Sequence, residues 1–78
     1  MQIQTPTKRY AEVDISGKVR SVAAEYRASQ SQLADALSLS RMAITRRMNG
    51  SVQWSGKDLA ILADYFDVPV ARFYGDVA

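Results

Sequence analysis

Residues 29–50 read S-Q-S-Q-L-A-D-A-L-S-L-S-R-M-A-I-T-R-R-M-N-G, two short runs that each begin with a serine. Ser29 followed by Gln32 makes a capping box, in which the serine oxygen accepts from an orphan amide of the first turn and the glutamine reaches back. It predicts a helix over 30–37 with Leu33, Ala34 and Leu37 facing inward. Ser38-Leu39 then turns the chain and Ser40 caps a second helix over 41–48. Asn49-Gly50 suits a left-handed end for that helix. Helices this short are marginal alone, so both must be held by packing against the rest of the chain.

The second run is sided. Ala43, Ile44 and Met48 fall on one side of the helix, which leaves Arg41, Met42, Thr45 and Arg46 pointing outward. From Ala36 to Lys57 there is no acid, while Arg41, Arg46, Arg47 and Lys57 are basic. The window carries +4, which leaves −2 for the remainder of a chain of net charge +2. A solvated helix face is the simpler account of such a window. A basic surface centred on one short helix is also the electrostatic footprint that nucleic acid requires.

Further helices supply the platform. Ile15, Val19, Val22, Ala23 and Tyr26 form one apolar stripe of a helix over about 11–27, beginning near Tyr10 or capped by Asp14, with Gly17 weakening its start. After a loop over 50–56 that contains Trp54, Ser55 caps a fourth helix with the stripe Leu59, Leu62, Ala63 and Phe66. Val68-Pro69 redirects the chain into a short fifth helix over 70–74. Phe66, Phe73 and Tyr74 are expected in the core. Residues 1–9 are polar and end in Lys8-Arg9, so they read as an arm ahead of a single domain over 10–78. The fold class expected is all-α, a compact five-helix domain.

Composition narrows the function. With 78 residues there is room for one modest core, and 47% hydrophobic and 23% charged residues argue for a folded chain. There is no cysteine and no histidine. The usual zinc ligands, the commonest general base and the best side-chain nucleophile are therefore missing, so neither an enzyme nor a metal or cofactor site is expected. The N-terminus lacks the apolar segment of a signal peptide and no apolar run approaches the length of a membrane span, which predicts a soluble, cytoplasmic protein. G-S-V-Q-W-S-G-K-D, residues 50–58, fails as a nucleotide-binding loop. It has five residues between its glycines, and Asp58 stands where serine or threonine is required for magnesium. No small-molecule ligand is expected. Trp54 reads as a cover for the core edge, with stacking on a base as the alternative.

A helix has the width to enter the major groove of B-form DNA, where arginine bonds guanine O6 and N7 and methyl-bearing groups meet thymine. Arg41, Met42, Thr45 and Arg46 match that chemistry. The helix over 30–37, lying across it, would aim its N-terminal amides and the side chains of Ser29 and Gln30 at a phosphate. One helix presented to bases while its partner grips the backbone is a helix-turn-helix.

The stretch already quoted, followed by W-S-G-K-D-L-A-I-L-A-D-Y-F-D-V-P-V-A-R-F-Y-G, is similar to the helix-turn-helix domain of phage repressors, Cro proteins and related XRE-type regulators. The likeness covers residues 13–75. It implies a lambda-repressor-like fold and a regulator that binds a double-stranded operator. By that resemblance Gln30 touches phosphate or a base edge, and Arg41, Met42 and Arg46 read base edges with Thr45 as a helper. The same resemblance has Ser29, Asn49, Ser51 and Lys57 hold the backbone. Ser40 is expected beside them, and Arg47, which stands where relatives often carry a bulky apolar residue, either meets phosphate or lies along the surface. Lys8 and Arg9 either reach DNA from the arm or only solubilise it. A monomer and a symmetric homodimer formed at least on DNA both stay open, and so does reuse of the fold as a protein-interaction module or an antitoxin-type regulator.

The chain also departs from that pattern. Relatives often pair an arginine in the first helix with a glutamate near the end of the recognition helix, and Ala23 and Met48 stand in their places. Replacing both members of such a pair with apolar groups can be neutral or stabilising, so Met48 is expected to pack near Ala23. Relatives usually have glycine where Ser38 stands, which predicts a slightly altered turn, because a serine at positive φ costs about 1 kcal/mol.

Overall fold

The computed structural model describes residues 14–74, which form five helices and, among the described residues, no strand. They are α1 (Ile15–Glu25), α2 (Gln30–Leu37), α3 (Arg41–Met48), α4 (Gly56–Phe66) and α5 (Ala71–Tyr74). The arm over 1–9 with Lys8 and Arg9, and the earlier start of the first helix near Tyr10, lie outside the described residues.

Local sequence explains each start. Asp14 caps α1 by accepting from the Gly17 amide at 2.8 Å. A Cβ at Gly17 would run into the Asp14 carboxylate as it lies here, so a larger residue would shift that cap. Ser29 and Ser55 cap α2 and α4 through reciprocal capping boxes with Gln32 and Asp58, and Ser40 caps α3 by accepting from Ala43 N at 3.1 Å. The first helix is shorter than its stripe predicts. It ends at Glu25, and Tyr26 is 48% exposed rather than buried, lying against Phe66 with ring centroids 5.5 Å apart.

Three helices stop in the same way. Arg27, Ser38 and Asp67 take left-handed φ of 57°, 57° and 58°. The next amide in each case bonds back to an alanine carbonyl: Ala28 to Ala23 at 2.8 Å, Leu39 to Ala34 at 2.8 Å and Val68 to Ala63 at 2.9 Å. This is the Schellman arrangement, and its usual apolar contact is present because Ala28, Leu39 and Val68 all pack on the core. The altered turn expected at Ser38 is not found. The serine takes the left-handed conformation itself, at φ 57° and ψ 42°, and the paired bonds and Leu39 packing hold it there.

The core gathers Val19, Val22 and Ala23 of α1, Leu33, Ala34 and Leu37 of α2, Ile44 of α3, Leu59, Leu62, Ala63 and Phe66 of α4, and Phe73 of α5. Through it α2 packs on α3 and α4, while α1 packs on α3 and α5. The fifth helix begins one residue later than expected, and Pro69 accepts the Arg72 amide at its entry. Tyr74 stays at the surface, 38% exposed, so of the three C-terminal aromatics only Phe66 and Phe73 are core residues.

Candidate nucleic-acid interface

Helix α3 has an inner and an outer side. Ile44 is fully buried, Ala43, Arg47 and Met48 are half-buried, and Arg41, Met42, Thr45 and Arg46 are exposed. Met48 is half-buried and packs on the core cluster, of which Ala23 is one member, and α1 packs on α3. The outward face carries Met42, 60% exposed, between two arginines.

Two hydrogen bonds tie this face to the start of α2. Arg41 Nη1 donates to Ser31 Oγ at 2.9 Å, and Thr45 Oγ1 lies 3.5 Å from Gln30 Oε1, long for a hydroxyl bond. Gln30, Arg41 and Thr45 are thus brought to one seam, with Met42 and Arg46 on the same helix. Among the described residues, the ion pairs are Arg47–Asp58 and Arg72–Glu25, so Arg41, Arg46 and Lys57 have no carboxylate partner. Their charge faces solvent.

The expected backbone-holding groups divide. Ser29 and Ser40 use their oxygens as helix caps at 3.1 Å each, which leaves each hydroxyl proton free to donate. Asn49 Oδ1 accepts from Ser51 N at 2.9 Å, leaving the amide nitrogen of Asn49 outward. Ser51 and Lys57 are exposed. Arg47 is different. Its Nε donates to Asp58 Oδ2 at 3.0 Å and its Nη1 to Ala43 O at 3.2 Å, with side-chain exposures of 16% for Arg47 and 13% for Asp58. The guanidinium is turned against α4 rather than left on the open face with Arg41 and Arg46. Partial burial works to raise the Asp58 pKa, but the Ser55 amide and the bond and charge of Arg47 outweigh it and hold the carboxyl below its usual range.

Trp54 does cover the core edge, and it does something sequence reasoning missed. Its indole Nε1 donates to Ser16 Oγ at 3.0 Å, and Ser16 Oγ donates to the Arg47 carbonyl at 2.8 Å. Ser31 was missed as well. These pairs are 10 to 38 residues apart in the chain and depend on how helices cross, so no local pattern announces them.

A short helix laid across a second one whose outer face is free defines a helix-turn-helix type of domain. Residues 13–78 match the family model of the BetR domain, and the chain belongs to that family. The match fits a small helical domain and is compatible with DNA binding and a regulatory role. No curated protein and no solved structure matches the chain. Among the described residues, no helix is long and apolar enough to cross a membrane.

Proposed function

We propose that this protein is a sequence-specific, double-stranded DNA-binding transcriptional regulator of the phage repressor and Cro type, acting in the cytoplasm and without catalysis. Helix α3 lies in the major groove, where Arg41, Met42, Thr45 and Arg46 meet base edges together with Gln30 from α2. Ser29, Ser40, Asn49, Ser51 and Lys57 hold the phosphates on either side. The observation that supports this most is the siding of α3: Ile44 fully buried, and two arginines and a methionine exposed beside it with, among the described residues, no acid paired to them. Two half-sites about one helical turn apart would be bound by a pair of copies assembled at least on DNA.

Titration of random and selected duplexes at two salt concentrations tests the proposal, since release of counterions makes such binding weaken steeply with salt. Arg46→Ala is expected to cost about 1–3 kcal/mol on the selected sequence and to relax preference at one base pair. By contrast, Lys57→Ala is expected to weaken every sequence alike and to lower the salt slope by about one. Salt-independent binding to no preferred duplex would refute it. A protein-interaction module is the second reading, favoured by the surface aromatics Tyr26 and Tyr65, each 48% exposed and each set against Phe66.

A further inference from the structure

Helix α3 has a problem of orientation. Ile44 is its only fully buried side chain and Met48 is half-buried against the core; apolar burial is non-directional, so these contacts alone do not fix the roll and tilt of the helix. Its N-terminal end is fixed by the Ser40 cap and by the turn from α2, where Leu39 packs on the core. At the other end, the Arg46 carbonyl accepts from Val52 N at 3.1 Å, and the Arg47 carbonyl accepts both the Gly50 amide at 3.3 Å and, from α1, the Ser16 hydroxyl at 2.8 Å.

We propose that Ser16, Trp54, Arg47 and Asp58 form a polar lock that sets the angle of α3, and so act as positioning residues for base reading without being base contacts. The proposal rests on α3 being the reading helix. The lock has two arms that meet at Arg47. In the first, Trp54 Nε1 donates to Ser16 Oγ, which donates to the Arg47 carbonyl, joining the 50–55 loop, α1 and α3 in one line. In the second, the Arg47 side chain spans from its own helix, at Ala43 O, to Asp58 of α4. Asp58 Oδ2 also accepts the Ser55 amide at 3.1 Å, so the oxygen that holds Arg47 also helps to start α4. Hydrogen bonds constrain direction as well as distance, which apolar packing alone does not. Base-edge recognition needs this, because a small tilt of α3 carries Arg46 out of bonding range.

The lock also supplies a function for Arg47 that phosphate binding does not. To reach a phosphate the guanidinium would have to leave Asp58, stranding a half-buried carboxylate.

The test uses the full chain, a duplex selected from a random pool by the wild type, and a scrambled duplex of equal length, across a series of salt concentrations. Trp54→Phe keeps a ring and removes the N–H, Ser16→Ala removes the shared hydroxyl, and Arg47→Lys keeps the charge without the two-way reach. Each is expected to weaken binding to the selected duplex about tenfold while leaving the scrambled duplex and the salt slope unchanged. Combining Trp54→Phe with Ser16→Ala should add nothing to Ser16→Ala alone, and Ser16→Thr should restore the preference. Binding is measured well below each variant's melting temperature. Lower melting temperatures with the full preference intact would reduce these residues to ordinary stability and overturn the proposal. So would an Arg47→Ala variant that weakens both duplexes alike and lowers the salt slope by about one, which is the signature of a phosphate contact. A wild type that prefers no duplex removes the DNA reading itself, and the lock with it; a preference that survives all the variants removes only the lock.

Discussion

Helices α2 and α3 are each eight residues long and each starts from a serine cap, but α2 buries Leu33, Ala34 and Leu37 whereas α3 buries Ile44 alone. The difference is one of economy of contact. Helix α2 is held by area, through apolar packing on both α3 and α4, and its Schellman end continues that packing into Leu39. By keeping most of its surface free, α3 gives up that area and depends on directional bonds at its ends. A helix that presents side chains to a partner cannot also bury them, and the polar connections around Arg47 are what this chain has in place of the missing apolar contact.

Truncating the one fully buried residue of α3 should break the comparison most. Ile44→Ala is expected to destabilise the domain by about 2–5 kcal/mol, a large part of what a domain of this size has. Chemical denaturation followed by far-ultraviolet circular dichroism measures it. A loss below about 1 kcal/mol would mean that α3 is anchored elsewhere.

The two methionines of α3 provide a sharper version. Met48→Glu places a lone charge against the core and should cost about 1–3 kcal/mol. By contrast, Met42→Glu, on a residue 60% exposed, should stay within about 0.5 kcal/mol. Equal shifts in melting temperature for the two variants would erase the distinction between an inner and an outer side of the helix.

Acid should loosen α3 and the start of α4 together. The Asp58 carboxyl is held below its usual range in the folded chain, so the stability it contributes is fully present above its unfolded pKa, near 4. That contribution is lost as the pH falls through the lower folded value. The part of the acid-induced loss of melting temperature that begins below pH of about 4 should shrink in Asp58→Asn, which does not titrate. An identical acid limb in that variant would show that the Arg47–Asp58 pair carries little.

Much of this architecture was legible because local signals agreed with one another. The serine caps and the alternation of inward residues placed α2 and α3 at their observed bounds, and the apolar stripe of α4 is its buried face. Where one signal stood alone it overreached. Tyr26 continued the α1 stripe by spacing, but Arg27 takes a left-handed φ and ends the helical register, so the ring lies on Phe66 at the surface. The siding of α3 was readable from Ile44 and its neighbours. The pairing of Arg47 was not, since position 47 shows only that a long cation sits partly inward, and whether it meets phosphate or Asp58 depends on where α4 crosses. Ser16 and Trp54 were illegible for the same reason: each looks like an ordinary polar or aromatic residue until helix packing brings them within 3.0 Å.

The smallest expected effect concerns the turn between the two compared helices. Ser38 sits at φ 57°, where a Cβ costs about 1 kcal/mol, so Ser38→Gly relieves that strain but also frees the unfolded chain. The net gain should be no more than about 0.5 kcal/mol, read as a slightly higher denaturation midpoint. Asp67 occupies the same conformation at φ 58°, yet aspartate tolerates it better than most side chains, so Asp67→Gly should gain less. A destabilised Ser38→Gly would mean that the serine hydroxyl contributes more to the turn than its backbone angle costs. The Ser38 amide already bonds back into α2, and no bond from the side chain accompanies it among the described residues, which is why the gain is expected to carry a positive sign.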